Sequence, residues 1–433
     1  MRNWCTALAF VAVVAVGVTL TAQPQTVILV KAARLIDGRG GAPLEPAMVR
    51  IAGDRIVEVG AALAVPANAT VIDLGSATLL PGLIDLHTHL TDRDTVHWET
   101  ALTTTTPPEA ALWAARNARV TLLAGFTTCR DMGPTWPFVD VELRKAIDAG
   151  AVPGPRLLVA GNYVSSTGGA GDARQFSPYV DVPMVRNLAD GPDEIVKAVR
   201  TNFKYCADFI KILATVAVLS KGIEPGAQQY SDAEIRAAVD EARRWGRVVA
   251  AHAHGAAGIK AAIRAGVRTV DHGSYLDDEA VAMLKTNTDT FYVPTLALHS
   301  YIQASSTVPE SEKARGRAVE EIALGGFRRA LAAGLRIGLA TDAPVMPHGL
   351  NARELTYRVS LGEPPMHALV SATSLNAEII GWQDRVGSVT TGKFADLVAV
   401  AVNPLTNMSA LENVGFVMKG GSVYKDELSV RRP

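Results

Sequence analysis

No charge of one sign dominates this chain: 42 Lys and Arg stand against 43 Asp and Glu, a formal net charge of −1 over 433 residues. That balance gives no reason to expect nucleic acid or an anionic membrane as a partner. Cysteine is scarce, at three residues, and the 37 glycines form no repeats, which suggests tight turns between short elements. Long apolar runs are scarce too. The one that stands out is Ala7 to Thr21, which follows the positive Arg2. It is short for a full membrane span, polar sequence follows it, and Ala22 places a small residue before Gln23. Residues 1–22 therefore read as a secretory signal peptide, with an uncleaved anchor helix as the lesser alternative. The mature chain is expected to be secreted or periplasmic, with no stable membrane span. Cys5 would leave with the signal. Cys129 and Cys206 are expected as two buried thiols, although an oxidising compartment would let them pair.

What remains is ordinary in composition, 48% hydrophobic and 20% charged, and too long for one small core. Residues 27 to 80 carry short β-like runs: Thr26–Val30, Ala47–Ile51, Arg55–Val59 and Thr70–Leu74. Turn residues such as Asp37-Gly-Arg-Gly40 and Gly53-Asp54 separate them. The C-terminal end has the same texture, in Asp396–Ala401 and Val414–Tyr424. Both ends are expected to form one small β-sandwich domain, from residues 23–80 and 385–433.

Between them strands and helices alternate. The expected strands are Leu83–Leu86, Thr127–Arg130, Leu157–Ala160, Phe209–Leu213, Val248–Ala251, Thr269–Asp271, Phe291–Thr295 and Ile337–Ala340. Helical patterns such as Glu109–Ala124, Glu194–Tyr205, Asp232–Trp245 and Ala257–Ala265 lie between. Eight β/α units predict an α/β fold, a (β/α)8 TIM barrel over residues 81–384, with its chemistry at the C-terminal strand ends.

The unusual polar residues fall there. Strand one ends in His87-Thr-His89, and residues two apart on a strand share a face. Two imidazoles aimed at one point make a poor core and a good half of a metal site. Strand four places Lys211 inside an apolar run, where a bare ammonium is costly unless neutralised or paired. Strand five supplies His252 and His254, strand six His272, strand eight Asp342. Any one of these alone fits a hydrogen-bonded structural residue. Five of nine histidines, with a lysine and an aspartate, all at strand ends, fit a site better. His97, His299 and His367 sit off the strand ends and suit surface or capping roles, while His348 is placed to line the mouth. The Gly-rich loop Ser165–Asp172 lacks the lysine-serine pair of a phosphate cradle.

These motifs resemble the amidohydrolase superfamily over nearly the whole chain. Pro81-Gly-Leu-Ile-Asp-Leu-His-Thr-His89 is its hallmark, and Phe209-Ile-Lys-Ile212, His252-Ala-His-Gly255, Asp271-His-Gly273 and Ala340-Thr-Asp342 follow in family order. Within it the chain is most similar to metal-dependent Xaa-Pro and Xaa-Arg/Lys dipeptidases and ochratoxin-hydrolysing amidases. The resemblance implies two divalent ions, usually zinc. His87, His89 and Asp342 would hold the more buried ion, His252 and His272 the second. Carbamylated Lys211 would bridge them, with a bridging hydroxide as nucleophile and Asp342 as proton carrier. His254 would contact substrate or support a ligand, or else bond at the start of a helix. Tyr230 matches a tyrosine that points at the substrate carbonyl in similar enzymes, or is an ordinary aromatic at a helix entry. Where Ala170 stands, relatives commonly carry a histidine, so the substrate preference does not carry over directly. The implied substrate is a peptide-like or N-acyl amino acid small molecule, and self-association into a homo-oligomer is common among similar proteins. A hydrolase of cyclic amides, imidazolones or lactones is the alternative, and a non-catalytic assembly protein ranks last, since no ligand is missing.

Overall fold

The computed structural model describes residues 27–93, 98–172, 176–179, 188–218, 220 and 223–430. The signal-peptide segment and His97 lie outside the described residues. Among the described residues no helix is long and apolar enough to cross a membrane.

The N-terminal strands are β1 (Val27–Ala32), β2 (Arg34–Leu35), β3 (Ala47–Ala52), β4 (Arg55–Gly60), β5 (Thr70–Asp73) and β6 (Thr78–Pro81). The central ones are β7 (Leu83–Thr88), β8 (Phe126–Asp131), β9 (Arg156–Val159), β10 (Ile210–Leu213), β11 (Val249–Ala253), β12 (Thr269–His272) and β13 (Phe291–Val293). Near the C-terminus come β14 (Leu397–Val400), β15 (Phe416–Lys419) and β16 (Ser422–Asp426).

Both chain ends build two adjoining sheets, ordered β4-β3-β1-β5 and β16-β15-β14-β6-β2. Strand alternation explains their shared interior: Ala47, Val49 and Ile51 of β3 are buried while their neighbours are partly exposed. Those side chains join Val30, Leu79, Leu397 and Phe416 in one apolar cluster.

The central strands are parallel, in two sheets, β7-β8-β9 and β10-β11-β12-β13. The α/β alternation read from the sequence is present. The helix Asp232–Arg244 shows why: Ser231 and Glu234 form a reciprocal capping box, and Ile235, Ala238, Val239 and Ala242 make a buried stripe at helical spacing. That stripe packs on Ile210, Ile212, Val249 and Ala251, the outward residues of β10 and β11. Lys211, between the two isoleucines, faces the other way.

Bridges between Val164 and Ile212, Tyr292 and Ile337, and Thr88 and Ala343 connect the two sheets to each other and to the segment 335–343. That segment departs from the sequence expectation. Ile337–Ala340 is not a regular strand, although Gly338 N bonds Tyr292 O and Leu86 N bonds Leu339 O. Side chains occupy the positions a ladder would use. Asn376 bonds both Leu339 N and Leu339 O, Arg358 takes Gly338 O, and Asp85 takes Thr341 N. Cys129 and Cys206, the cysteines among the described residues, are free, and Cys206 is exposed rather than buried.

Candidate metal centre

Parallel register sets the site. Leu213 pairs with His252, His252 with Asp271, and Ala253 with His272, so three strands end side by side. His272 and Asp342 both adopt left-handed backbone, with φ of 68° and 60°, which turns each chain sharply at the strand end. Non-glycine residues hold that conformation only where their surroundings enforce it. Gly273 follows, where a Cβ would meet the Tyr292 ring at 2.5 Å, so no larger residue fits.

Two clusters of possible ligands result. In one, His87 Nε2 and His89 Nε2 lie 3.4 and 3.5 Å from the same oxygen, Asp342 Oδ1. In the other, His252, His254 and His272 bring their ring nitrogens within 4.8 Å of one another. His87 joins the two, its ring centroid 4.7 Å from that of His272. Lys211 Nζ lies 3.4 Å from His87 Nε2. All six residues assigned from the sequence as ligands therefore meet in one place. His254 is as close to His252 and His272 as they are to each other, its ring stacked 4.8 Å from that of His272.

Outer contacts orient the rings. His89 Nδ1 bonds the carbonyl of Gly133 at 2.7 Å, His254 Nδ1 bonds Ser274 Oγ at 2.8 Å, and His272 Nδ1 bonds Thr295 Oγ1 at 2.9 Å. With each Nδ1 engaged, each Nε2 is left for the centre. The electrostatics agree. Burial drives the pKa of His87, His252 and His272 well below the ordinary imidazole value, and that of His254 to about 3. Neutral imidazole is the form that binds a cation. His89 differs: although burial pulls it down, the hydrogen bond and charge of Asp342 raise it to about 9. Burial lowers Lys211 to about 8, against the pull of Asp271 and Asp342.

These residues fit divalent cations. His252 Nε2 is buried without any hydrogen-bond partner, a cost that a metal ion removes. Nitrogen and carboxylate donors on rigid strand ends suit such ions.

The centre forms one wall of a cavity of about 360 Å3, whose other walls include Trp136, Tyr163, Leu213, Val218 and Ile302. His299 also lines it, on the helix Leu298–Ala304, and is buried with its Nδ1 unpartnered, not at the surface as its position off the strand ends had suggested. His348 is buried and is not among the lining residues, and His367 bonds Glu363 at 2.8 Å. Tyr230 is not brought to the site. Its hydroxyl donates to the Ala189 carbonyl at 2.9 Å, inside the apolar layer between strands and helices. Sequence reasoning gave no role to Arg130 or Asp271, buried polar residues beneath the centre. Their signal was a charge inside an apolar strand pattern, the same one that marked Lys211.

Imidazoles, a carboxylate and a buried lysine at parallel strand ends define a metal-binding hydrolytic site. A model of the amidohydrolase family matches residues 78–424. Ochratoxinase of Aspergillus niger is 32% identical over 425 residues, covering 92% of this chain and 87% of that one. A solved Xaa-Pro dipeptidase with methionine bound in its active site is 34% identical, with a TM-score of 0.84 over 92% of this chain and 100% of that one. The crystal structure of A. niger ochratoxinase gives a TM-score of 0.82 at 30% identity, over 93% of this chain and 96% of that one. The chain belongs to the amidohydrolase family, as its motifs implied, and is a hydrolase of C–N bonds.

Proposed function

We propose that this protein cleaves the amide bond to a C-terminal amino acid, in a dipeptide or an N-acyl amino acid, at a centre of two divalent ions. The observation that carries the reading is the sharing of Asp342 Oδ1 by His87 Nε2 and His89 Nε2 beside the three further histidines. Likeness to a dipeptidase and an ochratoxinase along nine-tenths of the chain supports the substrate class, ochratoxin-like amides included. The supporting frame is read as a closed (β/α)8 barrel over residues 81–384 with a small β-sandwich. The chain is read as exported through residues 1–22 and self-associating.

In this reading His87, His89 and Asp342 would hold one ion, and His252 and His272 the other, with zinc as the expected metal. Lys211 would serve as a further ligand in its carbamate form, since its depressed pKa favours the neutral amine that adds CO2. Two such ions, bound there, would supply an acidified water and a Lewis acid for the scissile carbonyl. Asp342 would carry a proton from the attacking water to the departing amine. His254, held at Nδ1 by Ser274, offers Nε2 to the substrate carbonyl or carboxylate.

The test is a screen of zinc-loaded enzyme against dipeptides, N-acyl amino acids, cyclic amides, imidazolones and lactones. Turnover of the first two classes, abolished by chelation and by Asp342→Asn, is expected. Activity confined to cyclic amides, imidazolones or lactones, or full activity after metal removal, overturns the proposal.

A further inference from the structure

Asp271 is a carboxylate that the hydrolytic reading leaves without a task. It is wholly buried on β12, immediately before His272. One of its oxygens is satisfied: Arg130 Nη2 donates to Oδ1 at 3.1 Å. Arg130 is itself fixed, through Nε to the Leu86 carbonyl at 2.7 Å and Nη1 to Thr269 Oγ1 at 3.1 Å. The other oxygen, Oδ2, is buried with no hydrogen-bond partner, and so is His87 Nδ1. These two unpaired atoms face each other at 3.6 Å, and Oδ2 is also 3.6 Å from Lys211 Nζ.

Buried polar atoms are rarely left unpaired, and here an acceptor confronts a nitrogen able to donate. His89, His254 and His272 each have Nδ1 engaged by an oxygen, whereas Nδ1 of His87, in the same cluster, has none. We propose that Asp271, clamped by Arg130, is the positioning carboxylate for His87. It accepts the Nδ1 proton once a shift of a few tenths of an ångström closes the gap, and so fixes the tautomer that presents Nε2 to the centre. Arg130 holds the carboxylate in place and prevents it from swinging toward the ligands.

This inference rests on the two-ion reading above, and the experiment separates their failures. Wild type, Asp271→Asn, Asp271→Glu and Arg130→Lys are compared as zinc-loaded proteins. Metal content and chelator competition are measured, with the visible spectrum after cobalt substitution. Asp271→Asn sets an amide NH2 against Arg130 or His87. It is expected to weaken the ion held by His87 by about 10- to 100-fold and to alter the cobalt spectrum, with Asp271→Glu recovering part of the loss. Nitrogen-15 histidine spectra of the wild-type holoprotein, which need no variant, are expected to contain a strongly hydrogen-bonded Nδ1 proton on His87. Two tightly held ions and an unchanged spectrum in Asp271→Asn, or a His87 protonated at Nε2, overturn the positioning role. A wild-type protein holding fewer than two ions overturns the two-ion reading instead.

Discussion

Thr341 Oγ1 donates to Asp85 Oδ2 across 2.6 Å, tying β7 to the segment that carries Asp342 through residues 256 positions apart. Asp85 accepts three more bonds, from His87 N at 3.0 Å, Thr341 N at 3.2 Å and Asn351 Nδ2 at 2.8 Å. Burial pushes its carboxyl up to about 6, opposed by those donors, so at neutral pH it is an anion ringed by hydrogens. One carboxylate therefore fixes the backbone of His87 and the turn that presents Asp342. The two residues share a ligand cluster because a buried anion beneath them sets their spacing.

Replacing Asp85 with asparagine puts an NH2 where only acceptors fit. At least one of four donors then loses its partner, a cost of about 1–3 kcal/mol. Asp85→Asn should lower the thermal unfolding midpoint and, by loosening Asp342, reduce kcat by roughly tenfold or more. An unchanged midpoint and kcat would show that the clamp does not position the site.

Tyr230 gives a prediction of the opposite kind. Its hydroxyl is spent on the Ala189 carbonyl, away from the cavity lining. Tyr230→Phe should cost about 1 kcal/mol of stability and leave kcat within about twofold. Were Tyr230 the donor to a developing oxyanion, kcat would fall by about 10²–10³. Steady-state kinetics on the variant decides between them.

The contrast between Tyr230 and His87 marks what the sequence could carry. His87, His89, His252 and His272 lie at strand ends, where alternation and register fix direction locally, so their convergence could be read from spacing. Tyr230 sits in a connecting segment whose direction depends on what it packs against, and there the apolar layer and the Ala189 carbonyl won. His299 looked peripheral because the turn after β13 is not encoded by any period. It reaches the cavity because the buried Glu354 carboxylate holds Leu296 N and Ala297 N at that turn. Ile337–Ala340, within the irregular segment 335–343, reads as a strand because its composition is apolar. Its ladder is broken by Asn376 and Arg358, distant in sequence and visible only in three dimensions.

Arg358 and Glu363 form a fully buried pair, joined at 2.7 and 2.9 Å, with Arg358 Nη1 also donating to the Gly338 carbonyl at 2.8 Å. Removing one partner strands a buried charge, and the loss is about 3–5 kcal/mol. Arg358→Met should therefore drop the unfolding midpoint steeply. The double variant Arg358→Met/Glu363→Leu should recover part of that drop, since the Glu363 carboxylate leaves with its partner, although His367 loses its bond to Glu363. Equal midpoints for the single and double variants would mean that the bond to Gly338, rather than the ion pair, accounts for the loss.

Glu354 supplies the pH dependence. Its carboxylate accepts from Ala297 N at 2.7 Å and from Leu296 N at 3.1 Å, and it is wholly buried. Burial raises its pKa from 4.5 to about 7, with Arg358 and the two backbone donors pulling the other way. A raised carboxyl holds its proton in the folded chain after the unfolded chain has lost it. The stability it contributes is therefore complete below pH 4.5 and is lost as pH rises through about 7, amounting to about 3 kcal/mol over that window. Glutamine keeps an oxygen for both backbone donors and has no proton to lose. Glu354→Gln should thus become more stable relative to wild type between pH 5 and pH 8, and unfolding midpoints of both proteins measured across that range check it. A difference that stays constant with pH would mean that the buried carboxyl does not titrate there. A difference shrinking toward pH 8 would mean that the anion is held by its two amides more strongly than burial opposes it.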